Sequence, residues 1–526
     1  MFKGINLSLA QASQKPQHRG ELGNAEMNRL LLPLILLTPI LTGACATHPA
    51  IPRANLATAT GQTAAYLQRI DALDDSGPML NAVIAINPDA LRAARMAETM
   101  PGPLAGKAIL VKDNIETADP MPTTAGSLAL KDNVTGRDAP LVARLRAAGV
   151  VILGKTNLSE WANIRSSRSS SGWSAVGGQT RNPHALDRSP CGSSSGSGAA
   201  IAAGLAWAAI GTETDGSITC PASVAGIVGF KPTVGLVSRT YVVPISHSQD
   251  TPGPMAATVK DAALLLTGMA GSDPLDPATA RADAHVTDFA AGLDAASLAG
   301  VRIGVMRKQA STHERLLTVF EQALADLRRA GAVLVDIDHT FDDSMGRDEG
   351  AVLYYELRQD LGTYLRGLPG TPPVRSLTDL IAFNKAHPEE LRWFGQETFE
   401  KADKLTDAEA YRKARANSLR LAGRDGIDKL LADNRVALLV APTEGPGWPI
   451  DLVTGDHGIS VGIGSLAAIA GYPHITVPMG AVDGLPVGFS FIGPQWADKR
   501  VLEAGAAYER ARTATLPVPG FKRWGE

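Results

Sequence analysis

Short apolar runs alternate with amphipathic stretches along most of the chain. Residues 107–111 (Lys-Ala-Ile-Leu-Val) and 150–154 (Val-Val-Ile-Leu-Gly) are runs of this kind, and each predicts a buried strand. Residues 141–148, between them, have helical spacing. The first run ends against Lys112, so we expect the end of that strand to face a site. Alternation of helix and strand indicates sheet layers covered by helices.

The alternation continues to the C-terminus, and we find no internal repeat. Residues from about 345 to 434 are mainly helical and more charged, and we interpret them as a helical insertion in an α/β chain. The other predicted helices are 64–70, 199–205, 314–330 and 501–512, and the other predicted strands are 207–211, 226–230, 301–305, 333–336, 436–441, 475–477 and 487–491.

Residues 163–197 differ from the rest of the chain in composition. They are rich in Ser, Gly, Asn and Arg and have few apolar residues, as a flexible linker would. A structureless loop of this length is uncommon inside a compact domain unless it has a function. We therefore expect this segment to be ordered and functional.

The N-terminal region carries a targeting pattern. Arg29 precedes an apolar run at 30–41, which is followed by small residues up to Cys45, as in a secretory signal peptide. The run is shorter than the roughly 20 residues of a spanning helix. Residues 41–45 also resemble a lipobox, in which Cys45 would carry a lipid anchor; the alternative is a signal cut elsewhere, with Cys45 lost or idle.

Signal peptides rarely begin so far into a chain, so we expect Met27 to be the true start. Residues 1–26 are then a misassigned or disordered extension, 27–45 the signal peptide and 46–61 a linker. We expect the protein to be exported, either to the periplasm or as a membrane-anchored lipoprotein.

Composition and charge exclude several classes of partner. Apolar residues make up 44% and charged residues 20% of the chain, as in ordinary globular proteins, and the net charge of −3 gives no electrostatic basis for binding nucleic acid. After Cys45 only Cys191 and Cys220 remain, without zinc-site spacing. Each is either a buried apolar residue or one half of a bridge between them, and the sequence does not decide.

Three residues are candidates for serine hydrolase chemistry. Lys112 ends a predicted strand, and Ser193 and Ser217 lie in Gly-rich turns at 190–198 and 211–218. A serine hydroxyl needs a base, and a buried lysine can serve when burial lowers its pKa. Backbone N–H groups of such a turn can hold an oxyanion. Singly, however, such residues are more often a solvated lysine or turn serines, and spacing alone does not connect them.

A rival interpretation makes Ser194 the nucleophile. Residues 192–196 match G-x-S-x-G, the nucleophile elbow of α/β-hydrolases, with His457 or His474 as the later histidine. The elbow requires a buried strand immediately before the motif. Residues 182–190 instead contain two prolines, so the sequence does not favour this interpretation.

Several motifs in order resemble the amidase-signature family across residues 62–515. Residues 191–197 (Cys-Gly-Ser-Ser-Ser-Gly-Ser) and 215–218 (Asp-Gly-Ser-Ile) are similar to its two serine blocks, and Ser193 and Ser217 stand 24 residues apart as in the family. Residues 102–114 resemble its lysine block, and 231–239 and 248–254 resemble later motifs.

The resemblance implies a single α/β/α domain, over residues 62–520, around a large mixed β-sheet. It implies an amidase without metal or cofactor, in which Ser217 forms an acyl-enzyme. Ser193, expected after a cis peptide bond, would shuttle protons to Lys112, and Ser194 would steady the network. The oxyanion hole would consist of the backbone N–H groups of Thr214, Asp215, Gly216 and Ser217.

Departures from the common family pattern narrow the expected substrate. Glu213, Asp215 and Thr219 replace the usual aspartate, glycine and arginine, and the motifs look closest to bacterial peptide amidases, which remove C-terminal amides. Amidases of fatty-acid, aryl or other small amides are the alternative, and a non-catalytic binding lipoprotein is a third hypothesis. The substrate is thus expected to be a peptide or small-molecule amide; the oligomeric state is not predicted.

Overall fold

Alternate residues of the predicted strands lie on opposite faces of one sheet, and both faces are buried. In the computed structural model, which describes residues 57–459 and 461–526, Ile109 and Ile152 pack in one hydrophobic cluster, whereas Leu110 and Leu153 pack in another. Because side chains alternate along a strand, continuous apolar runs require cover on both faces. The structure therefore has the layered α/β architecture that the strands predict.

Eleven strands form a single mixed sheet. The strands of the described residues are β1 (Val83–Ile86), β2 (Ala108–Lys112), β3 (Val151–Thr156), β4 (Trp173–Ser174), β5 (Gly178–Gln179), β6 (Ala208–Glu213), β7 (Val228–Lys231), β8 (Thr251–Ala256), β9 (Arg302–Met306), β10 (Val333–Ile337), β11 (Leu438–Pro442), β12 (His474–Val482) and β13 (Leu485–Ile492). Their order in the sheet is β1-β3-β2-β6-β8-β7-β12-β13-β11-β9-β10, while β4 and β5 pair separately. β2 runs parallel to β3 and β6, so the ends of β2 and β6 meet at one edge.

Fourteen α-helices are present in the described residues. They are α1 (Ala59–Ile70), α2 (Ala90–Ala97), α3 (Pro140–Ala147), α4 (Ser195–Ala202), α5 (Thr219–Val224), α6 (Val259–Met269), α7 (Glu314–Arg329), α8 (Ser344–Arg366), α9 (Leu377–Ala386), α10 (Glu397–Ala402), α11 (Ala408–Ala422), α12 (Lys429–Asn434), α13 (Gly464–Ala470) and α14 (Asp498–Ala511). Helices α3, α6, α7 and α14 cover one face of the sheet, and α1, α2, α4 and α5 cover the other.

The predicted helical segment contains α8 to α12, between β10 and β11. Two boundaries differ from the sequence prediction. Helix α1 begins at Ala59, inside the predicted linker 46–61, because the Thr58 side chain caps it by accepting a hydrogen bond from the Gly61 N–H. Helix α4 begins at Ser195 rather than near residue 199, so the Ser/Gly-rich segment runs directly into it.

The predicted extension, the signal peptide with Cys45 and most of the linker lie outside the described residues. Within residues 57–459 and 461–526, no helix is both long and apolar enough to cross a bilayer.

Candidate active site

Lys112 is the last residue of β2, and its side chain is completely buried. Its Nζ lies 2.8 Å from the Ser193 hydroxyl oxygen and donates to Oγ1 (2.9 Å) and to the backbone oxygen (3.2 Å) of Thr212. Thr212 is available there because β6 runs parallel to β2. The strand end that the sequence placed at a site thus points into a closed polar cluster.

The environment of Lys112 favours a neutral amine. Burial lowers the pKa of Lys112 to about 7, and the nearby carboxylates of Asp250 and Glu213 oppose this effect by stabilising the ammonium. The amine is therefore substantially deprotonated near neutral pH. Burial is the larger effect because the side chain has no exposed surface.

Ser193 and Ser194 are held rigidly at the start of α4. The Gly192–Ser193 peptide bond is cis, and both serine side chains are fully buried. Ser194 Oγ accepts from the Thr212 N–H (3.2 Å) and donates to the Thr212 backbone oxygen (3.1 Å). A side chain at position 192 would clash, since its Cβ would lie 2.1 Å from Ser159 Oγ. The Ser/Gly-rich segment is therefore closely packed structure and not a linker.

The nucleophile-elbow interpretation does not fit this geometry. The Ser194 hydroxyl is occupied by both backbone groups of Thr212 and is not exposed. His474 hydrogen-bonds to Ser490 (2.7 Å), and His457 hydrogen-bonds to Thr454 (2.6 Å). Neither histidine among these described residues is available to Ser194.

Ser217 lies in the turn that connects β6 to α5, and it is 8% exposed. Its backbone oxygen accepts from the Ser194 N–H (3.1 Å), which holds it beside Ser193. The Ser217 hydroxyl makes no hydrogen bond to any described residue. Gly216 precedes it with φ +78°, a conformation that favours glycine although a Cβ there would meet no atom within 4 Å. The fold brings Lys112, Ser193, Ser194 and Ser217 into one cluster.

The backbone N–H groups of residues 214–217 are unoccupied within the described structure, since none donates to a described residue. The next two N–H groups, of Ile218 and Thr219, donate to Glu213 Oε2 (2.8 and 2.9 Å) and so fix the start of α5. Adjacent free N–H groups in a turn form an anion-binding concavity. We call residues 214–217 the oxyanion turn.

Several residues that hold the oxyanion turn were not identified from the sequence. The Thr214 hydroxyl donates to Asp250 (2.6 Å), and the Thr214 backbone oxygen accepts from Gln249 Nε2 (3.2 Å). The Asp215 carboxylate accepts from the Ser465 hydroxyl (2.8 Å), so this side chain points away from Ser193. Gln249 and Asp250 stand in the 248–254 motif, which was the available signal; Ser465 had none.

Cys191 and Cys220 form a disulfide, with Cα atoms 6.0 Å apart. Of the two alternatives left open by the sequence, the bridge is the one formed, although both residues are also nearly buried, beside Val224 and Trp448. Cys191 precedes Ser193 by two positions, and Cys220 follows Ser217 by three. The bond therefore joins the two loops that carry these serines.

Comparison with known proteins agrees with this arrangement. The model of the Amidase family matches residues 62–502. An amidase-family protein of Arabidopsis thaliana is 38% identical over 470 residues, covering 86% of each chain. The amidase-like component of the glutamyl-tRNA(Gln) amidotransferase of Mycobacterium bovis is 36% identical over 508 residues, covering 91% of this chain and 99% of the relative.

Among solved structures, the native peptide amidase from Stenotrophomonas maltophilia is 50% identical, with a TM-score of 0.83, and the match covers 88% of this chain and 95% of that one. A peptide amidase in complex with the competitive inhibitor chymostatin is 51% identical, with a TM-score of 0.84, covering 88% and 96%. With the family match over most of its length, the chain belongs to the Amidase family and is an amide-hydrolysing enzyme.

Proposed function

We propose that the enzyme hydrolyses the C-terminal carboxamide of peptides, releasing ammonia and a peptide carboxylic acid, with Ser217 as nucleophile, Ser193 as proton shuttle and Lys112 as base. One observation carries the mechanism: the Lys112 amine, whose pKa burial lowers to about 7, lies 2.8 Å from the Ser193 hydroxyl. A base poised near the working pH is the most effective proton acceptor.

The hydrogen bonds of Lys112 support its role as base. A neutral amine has two N–H donors and one lone pair. The two donors are accounted for by the backbone oxygen and Oγ1 of Thr212, both of which can accept. The lone pair is then left for the proton of the Ser193 hydroxyl. Thr212 thus orients the amine, and Asn114 Nδ2 in turn donates to Thr212 Oγ1 (3.0 Å).

The reaction then proceeds in two halves. The Ser217 proton passes to Ser193, the Ser193 proton passes to Lys112, and Ser217 Oγ attacks the amide carbon. The carbonyl oxygen becomes an oxyanion that the free N–H groups of the oxyanion turn can bind. The proton returns through Ser193 to the amide nitrogen, the C–N bond breaks and ammonia leaves. Water attacks the acyl-enzyme by the same relay, releasing the acid and restoring Ser217.

The choice of peptide amides rests on similarity to the peptide amidases, which exceeds that to the amidotransferase component: 51% against 36% identity. A product screen by mass spectrometry tests it, with N-blocked peptide amides, fatty-acyl amides, aryl amides and esters. We expect peptide amides to have the highest kcat/KM and to yield the free acid with loss of ammonia. A preference for fatty-acyl or aryl amides would contradict the proposed substrate.

Ser217→Ala is the matched control for the proposed nucleophile, because it removes only the hydroxyl. A fluorophosphonate probe should label the native protein at Ser217 and should not label this variant. No label in active, folded native protein would contradict the assignment of the nucleophile.

We also propose that the enzyme works outside the cytoplasm. The signal pattern at 27–45 supports this, as does the Cys191–Cys220 disulfide, since such bonds persist in oxidising compartments. Cell fractionation with mass spectrometry of the mature N-terminus tests the proposal, and labelling with a fatty-acid analogue tests lipidation of Cys45. An exported protein that retains residues 1–26 would contradict the assigned start.

A further inference from the structure

Two carboxyl groups lie against each other beside the oxyanion turn. Asp215 belongs to the turn, and Glu349 comes from the first part of α8. Their side chains share a hydrogen bond, and Ser465 donates to the remaining side of Asp215 (2.8 Å). Glu349 is only 8% exposed, so the pair is largely shielded from water.

A second connection runs from Glu349 to the backbone of the turn. Gln249 Nε2 donates both to Glu349 Oε1 (2.9 Å) and to the Thr214 backbone oxygen (3.2 Å). The Thr214 C=O belongs to the same peptide plane as the Asp215 N–H and points opposite to it. Whatever fixes this carbonyl therefore also aims one of the free N–H groups of the oxyanion turn.

Chemistry limits the protonation state of the pair. An ionised carboxylate only accepts hydrogen bonds, so two carboxyl groups can bond to each other only while they share a proton. When both are ionised at this distance they repel each other, and the repulsion is strong in a buried environment. The contact between Asp215 and Glu349 therefore depends on a single proton.

We propose that Glu349, in its protonated form, is a positioning residue for the oxyanion turn: it holds Asp215 by the shared proton and, through Gln249, fixes the Thr214–Asp215 peptide. The inference rests on the proposed role of this turn in binding the oxyanion. It makes the oxyanion site dependent on a group of α8 that does not touch the reacting atoms.

The pH range of the shared proton follows from burial. Burial, reinforced by the charge of Asp215, raises the pKa of Glu349 to about 9, and burial raises the pKa of Asp215 to about 6. The pair thus carries one proton between these values and loses it in the alkaline range. The other charged groups that interact with Asp215 are Glu213 from β6, Lys231 from β7 and Glu444 from the segment after β11.

Lys231 also has a pKa near the alkaline range, lowered by burial to about 8, so the test must separate it from Glu349. Glu349→Gln does so, because a glutamine amide can donate to Asp215 and accept from Gln249 at every pH, whereas Lys231 is unchanged. We expect kcat/KM of the wild type to fall about tenfold from its plateau to pH 10, since one pH unit above a pKa leaves about a tenth of the group protonated.

Glu349→Gln should lose this alkaline fall, with kcat/KM changing less than about twofold between pH 8 and pH 10. The matched control is Asp348→Asn, because the Asp348 carboxylate lies on the same helix but accepts from Asn417 instead. The control should keep the wild-type alkaline fall. An alkaline fall that persists in Glu349→Gln would overturn the proposal.

A second measurement reports on oxyanion binding directly. A peptide aldehyde adds Ser217 Oγ to its carbonyl carbon, and the resulting hemiacetal oxygen occupies the oxyanion site. Glu349→Ala should weaken aldehyde binding about tenfold while KM for the peptide amide changes less than about twofold, and Glu349→Gln should restore binding. Equal weakening of both, in protein whose thermal unfolding is unchanged, would contradict a positioning role.

These outcomes are separate from those of the proposed function. Folded wild-type protein that hydrolyses no peptide amide would refute the proposed substrate. An active wild type whose Glu349 variants keep the native pH profile and aldehyde affinity would refute only the positioning role. If Glu349→Ala does not fold, the pH profile of Glu349→Gln still decides.

Discussion

Acidification should stop the enzyme by protonating Lys112. The structure gives the reason: this side chain has no exposed surface, and burial lowers its pKa to about 7. Below that pH the ammonium has no lone pair for the Ser193 proton. Activity is therefore expected to be full above the pKa of the folded protein and to be lost as the pH falls through it.

The size of the effect follows from the titration curve. With a pKa of about 7, about nine-tenths of Lys112 is neutral at pH 8 and about a hundredth at pH 5. The expected fall in kcat/KM between these two pH values is thus about ninety-fold, with a slope of one decade per pH unit on the acid side. Because kcat/KM reports on the free enzyme, the midpoint is that of unliganded Lys112.

The assay measures ammonia release from an N-blocked peptide amide that has no titratable group between pH 5 and pH 9. Circular dichroism at each pH checks that the fold is retained. A rate that stays constant or rises steadily below neutral pH, in folded protein, would show that the base is not a neutral lysine.

Asp250→Asn provides a directional test of the same assignment. Asp250 raises the pKa of Lys112 by its negative charge, so its removal should lower that pKa and move the acid limb to lower pH. The overall rate should also drop, since Asp250 accepts from Thr214, Ile245 and Ser246, but the midpoint is the quantity that decides. A midpoint that moves upward would refute the proposed electrostatic coupling.

Three further predictions concern the base, the disulfide and metals. Lys112→Ala should reduce kcat by at least about a thousandfold with unchanged circular dichroism, and a wild-type rate in this variant would place the base elsewhere. Replacing both Cys191 and Cys220 by serine should lower the free energy of unfolding in urea by about 3–4 kcal/mol, because the bond closes a loop with a sequence separation of 29. An unchanged value would mean that the bond adds no stability in solution. Incubation with a chelator should leave the rate unchanged, and a loss restored by a divalent metal would contradict the Ser–Ser–Lys mechanism.

The sequence predicted most of the sheet because its strands are continuous apolar runs, but it did not predict β8. Pro252 and Pro254 argue against a central strand, since proline cannot donate to a ladder. In the structure these prolines pair with β6 alone, opposite Thr212 and Ile210, whereas β7 pairs only with Met255 and Ala256. The missing donors lie where the strand has one partner, a condition that depends on the lengths of neighbouring strands and has no local signal.

The candidate site shows a similar division. Physical reasoning identified Lys112, Ser193 and Ser217 one at a time, and only the ordered motifs of a family connected them. The contact between Gln249 and Glu349 joins positions 100 residues apart and depends on how α8 packs beside the 245–250 segment. No spacing rule relates such positions, so the groups that hold the oxyanion turn became visible only in the folded chain.

The Cys191–Cys220 bond also has a practical consequence for recombinant production. Protein made in a reducing cytosol would carry two free thiols where the native chain has a covalent tie between its serine loops. Two preparations of identical mass within two protons would then differ in how firmly those loops are held. Thiol titration of each batch, before any rate is compared between variants, is therefore part of measuring this enzyme correctly.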